Sequence, residues 1–311
     1  MNKRKIILMS IALTLSASVW AGGKKKQVFI PMDYSSCGYH ASEGGIPDVR
    51  NAVSVGNTEG DCSLRLQRAI DYVSQLKPDK NGHRGTVLIG EGTFHLDHAL
   101  RISTSGVVIR GMGKGRTRLV KRGFDRGALI YIEGRNLPTA GDTIAIADPK
   151  LSAGSSRLTL DAAPKLKAGD RIMILRPSTK EWIAALRCND FGGGLDYTGW
   201  KPTDIDMTWH RTVSAVEGNA ISLDAPLTMT IDRKYGSAMV ITSYNRGEIK
   251  ECGVENLTLE SAHNDWNPKD EDHCWDGIRM DCVADCWVRR VDFRHFAGSA
   301  VNLQKQTRRV T

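Results

Sequence analysis

Proline is scarce in this 311-residue chain, at 10 residues against 31 glycines, and collagen-like, disordered and low-complexity classes are excluded. Cysteine is sparse as well. Seven residues are too few for a disulfide scaffold of this size. Six of the seven could pair in an oxidising compartment, leaving an odd one, and Cys37 with Cys62, flanking one N-terminal loop, is one candidate pair. Cys252, Cys274, Cys282 and Cys286 crowd into one region. Paired zinc-type spacing is absent, so buried free thiols in stacked strands are the competing reading. Apolar runs long enough for membrane spans are missing beyond the N-terminus, which excludes a multi-pass membrane protein. A phosphate-binding Walker loop is missing too: Val108, not glycine, stands five residues before Gly113-Lys114. A coil turn accounts for the glycines of Gly111 to Gly115. His95 and His98 stand three apart in a strand-and-turn context and need not share a face, which disfavours a metal site there.

What is present begins with a targeting segment. Lys3, Arg4 and Lys5 precede an apolar stretch from Ile6 to Val19, and Val19-Trp20-Ala21 offers a cut before Gly22. Residues 1–21 therefore read as a signal peptide, and the expected location is secreted or periplasmic. No membrane span is expected after cleavage. Losing three positive charges lowers the formal +8 to +5. That mild excess suits an anionic polysaccharide, and no nucleic-acid partner is expected of a secreted chain. The oligomeric state is not specified by the sequence.

Charged residues make up 25% and hydrophobic residues 41%, as in an ordinary globular chain of one or two domains. Asp61 and Ser63 offer N-caps to a short helix in which Leu66, Ile70, Val73 and Leu76 recur at helical spacing, and Lys77-Pro78 ends it. Short strand-like runs follow, broken by glycine: 86–89, 93–96, 100–102, 107–109 and 128–132. No helices separate them, and hairpin dipeptides are rare. That combination disfavours doubly wound α/β folds and points to a solenoid. Two phrases then repeat. Cys252 to Leu259 resembles Cys286 to Phe293, and Gly277-Ile278-Arg279-Met280 resembles Ala300-Val301-Asn302-Leu303, about 23 residues on. A period of roughly 20–30 residues fits a parallel β-helix.

Between these blocks the texture changes. Arg157 to Pro164 recurs in altered form as Ala220 to Pro226, and Gly192-Gly193-Gly194 reads as a loop. The expected fold is all-β: a right-handed parallel β-helix solenoid with a short N-terminal capping helix and an inserted small β domain. The expected divisions are 22–136 for the cap and first coils, 137–244 for the insertion and 245–311 for later coils. The insertion is expected to overhang the solenoid as one wall of a cleft. Arg308-Arg309-Val310-Thr311 repeats the pattern of Arg289 to Asp292, so the chain is expected to stop mid-solenoid, as a strand begins, with more coils to follow.

Leu66-Gln67-Arg68-Ala69-Ile70 resembles the capping helix of pectate-lyase-like β-helix proteins. Gly85 to Leu96, with Gly90-Glu91-Gly92-Thr93-Phe94, is similar to the glycine-rich turn of that family, and Val107 to Gly113 looks like its next coil. The chain resembles bacterial secreted members of the pectate lyase superfamily. The resemblance implies a right-handed parallel β-helix and polysaccharide cleavage. It leaves lyases, hydrolases, epimerases and non-catalytic members open.

Lyases of this kind need a base for the proton α to a uronate carboxylate and cations to neutralise that carboxylate. The densest polar stretch is Asp270 to Asp276. Asp270, Asp272 and Asp276 are candidate Ca²⁺ ligands. His273, Arg289 and His295 are candidate catalytic groups. Trp275, Arg279, Lys305 and Arg308 are candidate substrate-binding groups, Trp266 and Trp287 could also stack on sugar rings, and Arg290 and Arg309 add positive charge nearby. Each has a plain structural alternative: a solvated loop, a packed coil residue or a core tryptophan. Asp276-Gly277-Ile278 is faintly similar to a polygalacturonase motif, but Ser299-Ala300-Val301 stands where the paired aspartates would be. Asn256-Leu257-Thr258 fits a glycosylation triplet, and asparagine stacking inside a coil competes with it. The leading expectation is a lyase cleaving an acidic, uronate-containing polysaccharide by β-elimination. A glycoside hydrolase and a non-catalytic glycan-binding or surface module are the alternatives.

Overall fold

The computed structural model describes residues 31–192, 198–245, 247–267 and 269–311. The signal segment 1–21 and the glycines Gly193 and Gly194 lie outside the described residues. The chain is mostly β. Its elements begin with β1 (Asn51–Val55), helix α1 (Ser63–Gln75), β2 (Gly85–Ile89), β3 (Gly92–Leu96), β4 (Leu100–Ile102), β5 (Val107–Arg110), β6 (Thr117–Lys121) and β7 (Ala128–Glu133). Then come β8 (Pro138–Ala145), β9 (Lys150–Leu151), β10 (Arg157–Thr159), β11 (Arg171–Arg176), helix α2 (Lys180–Ala185), β12 (Met207–Glu217), β13 (Ala220–Leu223), β14 (Ile231–Asp232) and β15 (Met239–Asn245). The last are β16 (Ile249–Lys250), β17 (Gly253–Ser261), β18 (Asp276–Asp281), β19 (Val283–Arg294), β20 (Ser299–Gln304) and β21 (Arg308–Val310).

The first and last groups join in parallel ladders. β1 pairs β2, β2 pairs β5, β5 pairs β17 and β17 pairs β19, each in parallel. β4, β7, β18 and β20 form a second parallel run. Register places apolar residues in columns. Val87, Ile109, Val254 and Val288 stand in line. Phe94, Leu119, Leu259 and Phe293 form another column. Leu100, Ile130, Ile278 and Val301 form a third. All of these side chains except Val301 meet in one core, because each strand turns alternate residues inward and parallel register brings like onto like.

Helix α1 adds Leu66, Ile70 and Val73 to that core. Its N-cap position is Cys62 rather than Asp61 or Ser63. Asp61 acts one residue earlier: its Oδ1 accepts the Ser63 N–H at 2.9 Å and the Asp97 N–H at 3.0 Å. The cap is therefore also a tie to the first turn after β3. Among the described residues, no helix is long and apolar enough to cross a membrane.

Residues 138–245 build something different. β10, β13, β12, β11, β15 and β8 lie side by side in antiparallel order, with a core of their own. Leu158, Leu160, Ile221 and Leu223, which carry the repeated phrase, enter that core and not the stacked one. The N-terminal segment closes over the outer face of the stack, where Tyr39, Ile46 and Val49 cover Val108 and Trp287. Trp287 is fully buried and is not a sugar platform. The Cys37–Cys62 pairing is not formed: Cys37 is exposed, while Cys62 is buried at the start of α1. Cys252, Cys274, Cys282 and Cys286 are all buried.

Gly253 is where β17 passes closest to Trp287. A Cβ there would overlap the indole ring, which is locked from the other side by Tyr39 at 5.3 Å in an edge-on contact. Gly253→Ala is expected to lower stability by about 2 kcal/mol through overpacking. The shift of the denaturant midpoint checks this, and an unchanged midpoint would mean that the indole has room to move.

Candidate functional site

The predicted site residues divide into three groups. The first lies at the ends of β17 and β19. The His263 and His295 rings stack at 4.1 Å and 15°, and His273 is 6.1 Å from His263. His273 is buried. Ser261 Oγ already donates to the Ala262 carbonyl, so the His273 Nδ1–H donates to Ser261 Oγ across 3.0 Å. Its Nε2 then faces Asp270, 3.9 Å away. Phe124, His263, Asp270, Asp272 and His273 line a shallow recess of about 350 Å³. Trp266 stands on its loop almost fully exposed.

The three aspartates do not form a Ca²⁺ cage. Asp270 accepts the backbone N–H groups of Asn264 and Asp272, which folds its own loop. Asp272 pairs with Arg126 at 2.5 Å, and Asp276 is buried and accepts from Asn302 at 2.9 Å. The reason is the fold: Asp276 already belongs to β18, whereas Asp270 and Asp272 belong to the loop before it. Trp275 is half-buried, donates its indole N–H to the Glu271 carbonyl and lies 5.6 Å from the Arg126 guanidinium. Arg279 faces outward on β18 but is tied to Gln304 at 2.7 Å and Asp281 at 3.4 Å.

Arg289 is not part of that face. Its Nε donates to the fully buried Glu255 at 2.5 Å, and its other nitrogens donate to the carbonyls of Ile46 and Pro47. Arg110 reaches the same carboxylate at 2.5 Å and Trp287 donates to it at 3.0 Å. Burial pushes the Glu255 carboxyl up, but the hydrogen bonds from Arg289, Arg110 and Trp287 outweigh it and hold the group below the usual carboxylate range. Arg289 is a clamp between the N-terminal segment and the stack, not a free catalytic cation. A comparable pin lies nearby, where Glu251 accepts from Tyr39 at 2.5 Å and pairs with His40 at 2.7 Å and His83 at 3.1 Å. His40, Glu251 and Asp285 gather their donor atoms within 4.8 Å. Those atoms are already used by Tyr39, His83, the His40 backbone and Arg309, so the group fastens the segment.

Lys305 and Arg308 lie in a third place. Two adjoining recesses, of about 380 and 520 Å³, open between the antiparallel sheet and the turn leading into β21. Both are lined by His210, Arg211, Thr307 and Arg308, and the larger adds Lys305. β12 presents His210 and Arg211 there, in register with Met173 and Ile172 of β11. Arg211 spends its hydrogen bonds on the carbonyls of Ala225, His210 and Pro226, at 2.9, 2.9 and 2.7 Å, and meets Asp224 only at longer range. Arg171 and Arg308 share the buried Glu248, at 2.8 and 3.1 Å. Two guanidiniums on one carboxylate leave the wall positive. Burial pulls the His210 pKa down, and Arg171, Arg211 and Arg308 pull it further, against a weaker upward pull from Glu248. His210 is therefore a neutral imidazole beside fixed cations.

The sequence reading missed His210, Arg211, Arg171 and His263. Three of these residues lie in the segment 137–244 expected as a wall, and the candidates with local signals lie beyond it. The available signal is the basic pair His210-Arg211 inside an otherwise alternating strand.

No protein-family model and no curated sequence matches the chain. Similar solved structures include the tailspike gp61 of Pseudomonas phage phi297, with 13% identity, 72% of this chain, 30% of that one and a TM-score of 0.38. The tailspike gp49 of Pseudomonas phage LKA1 gives 18% identity, 76% and 38% coverage, and 0.38. The Gp54 tailspike of Acinetobacter baumannii bacteriophage AP22, solved with a capsular saccharide, gives 11% identity, 75% and 33% coverage, and 0.34. The chain spans about a third of the length of these tailspikes. Likeness at this level leaves the chemistry to the residues of this chain.

Arg289→Ala is expected to cost about 3 kcal/mol, because it leaves Glu255 buried with one cation fewer. Glu255 has its folded pKa below the unfolded value near 4.5, so its contribution is present above that pH and is lost as pH falls through the folded value. Denaturant unfolding at neutral and acid pH checks both statements. A stable but inactive Arg289→Ala variant would restore a catalytic role.

Proposed function

We propose that the chain is a secreted or periplasmic carbohydrate-active protein that cleaves an acidic, uronate-containing polysaccharide by β-elimination. In this reading the stacked unit is a right-handed parallel β-helix capped by α1, with the antiparallel unit of about 137–244 inserted as one wall of the cleft. The resemblance to secreted pectate lyase superfamily members supports the same reading. The observation that carries it is His210: a neutral base beside Arg211, Arg308 and Lys305 in a recess wide enough for sugar rings.

The chemistry follows from those charges. Lys305 binds the uronate carboxylate, and the fixed charges of Arg211 and Arg308 stabilise the negative charge that builds on it as the α proton leaves. His210 takes that proton from C5. The C5–H electron pair becomes the C4–C5 double bond, and the C4–O bond breaks toward the departing sugar. The departing oxygen is protonated by solvent or by the His210 imidazolium. A glycoside hydrolase remains the second reading, because Asp33 and Asp224 line the adjoining recess and hydrolysis requires two carboxylates. The exposed Trp266 beside the His263 recess favours a glycan-binding face whichever bond is broken.

Incubation with acidic polysaccharides is expected to yield a product whose unsaturated end absorbs in the ultraviolet. Reducing sugar without that absorbance would mark hydrolysis, and binding with neither would mark a module. His210→Ala is expected to lower kcat/KM by about a hundredfold or more.

The acid limb of kcat/KM is expected below the ordinary histidine value of 6.5, since the base is lost only as pH falls through its lowered folded pKa. Arg211→Gln removes one of the charges that lower it, so the limb moves up toward 6.5 while kcat/KM falls. A limb that stays in place would exclude His210 as the base.

A further inference from the structure

The antiparallel unit carries another recess, of about 420 Å³, whose lining includes Lys150, Arg176, Trp182, Thr230, Lys234 and Tyr235. Arg176 is the last residue of β11 and is 4% exposed. Its Nε and Nη2 have no hydrogen-bond partner. Asp206 is the carboxylate that acts on it, but Asp206 Oδ1 is committed to the Ser178 N–H at 2.7 Å and hydroxyl at 3.0 Å. A buried guanidinium with two idle donors is costly, and folded chains seldom leave one without a use.

The arginine is also held in place. Its guanidinium carbon lies 4.0 Å from the Trp182 ring centroid, and Trp182 stacks on Trp200 at 5.9 Å and 13°. Trp182 is fixed in turn by the start of α2, where Thr179 Oγ1 accepts its N–H at 3.2 Å. Nε–H and Nη2–H point the same way along one edge of a guanidinium. That parallel fork matches the two oxygens of a planar carboxylate better than it matches a single acceptor. Lys150 and Lys234 add positive charge at the rim. Asp232, the carboxylate of the lining, already accepts the Lys234 backbone N–H at 3.2 Å and pairs with the Lys234 ammonium at 4.0 Å.

We infer that this recess is a second saccharide site, which binds the carboxylate of an acidic sugar through the Nε/Nη2 edge of Arg176. It is separate from the cleft at His210 and takes no part in bond cleavage. The guanidinium edge is closed to solvent, so the ligand enters as the rim yields, with Lys234 exchanging its contacts with Asp232 and the Tyr235 ring for the incoming carboxylate. The site itself rests on the Arg176 geometry; the choice of a uronate as the carrier of the carboxylate rests on the proposed function.

The test is calorimetry with digalacturonate on the His210→Ala chain, which the cleft reading makes unable to cleave the probe. Two sites per chain are expected, and Arg176→Met in that background is expected to remove one. The neutral α-1,4-galactobiose is expected to leave the Arg176 site empty. Should Arg176→Met fail to fold, Lys150→Ala with Lys234→Ala, both on exposed side chains, is expected to weaken the same site about tenfold. An unchanged number of sites in Arg176→Met, or unchanged affinity in the lysine pair, overturns the inference. Sulfate competing as well as the saccharide overturns the carboxylate assignment, since a tetrahedral anion would then serve equally. A site lost with Arg176, while the chain that keeps His210 yields no ultraviolet-absorbing product from acidic polysaccharides, defeats the lyase reading and leaves this site standing. Product formed by the chain that keeps His210, while the number of sites is unchanged by Arg176→Met, does the reverse.

Discussion

Parallel register is the constraint on which the molecule depends. Because β2, β5, β17 and β19 pair in parallel and in line, each strand meets its neighbour in register and the apolar column they share is continuous. A slip of one residue would turn Val87, Ile109, Val254 and Val288 out of the core together. The same rule makes charges costly inside the stack unless neighbours answer them in register. Glu255 is the clearest case: Arg110 on the preceding strand and Arg289 on the following one flank it, and Trp287 completes its hydrogen bonds. The N-terminal segment is tied to the stack through those same groups, so burial of one carboxylate organises a whole face.

The link between the two units is electrostatic as well. Glu248 lies between the end of the antiparallel sheet and the start of β16, and it draws Arg171 from one unit and Arg308 from the other. Burial raises its carboxyl, but Arg308 and Arg171 more than offset this and keep it ionised. That shared carboxylate sets the two arginines beside His210 and leaves the surrounding charge positive. The charge of the recess therefore follows from how the units are fastened: burial lowers the His210 pKa, and the arginines that fasten the units lower it further.

Much of the stack is legible in the sequence because its signals are local. The runs at 86–89, 93–96, 100–102, 107–109 and 128–132 lie within or along β2, β3, β4, β5 and β7, and the helical spacing of Leu66, Ile70 and Val73 marks the buried side of α1. The repeated phrases around Cys252 and Cys286 are β17 and β19, paired in register. The site is far less legible. Arg289 looks outward in an alternating strand, and nothing local shows that residues 46 and 47 will cover it. The Asp270 to Asp276 run looks like a ligand cluster, yet its carboxylates serve a loop turn, a surface pair and a strand partner. His210 and Arg176 become chemical groups only through burial and neighbours distant in sequence, which no spacing rule reports.

The account stands most directly on where an acidic oligosaccharide lies when it occupies the cleft. A crystal structure of the His210→Ala chain with a bound uronate oligosaccharide would show this. The predicted result places a carboxylate against Lys305 and within reach of the charges of Arg211 and Arg308, with C5 of that sugar facing the vacated imidazole position. A saccharide seated only along His263, His295 and Trp266, with the cleft between β12 and β21 empty, would contradict it.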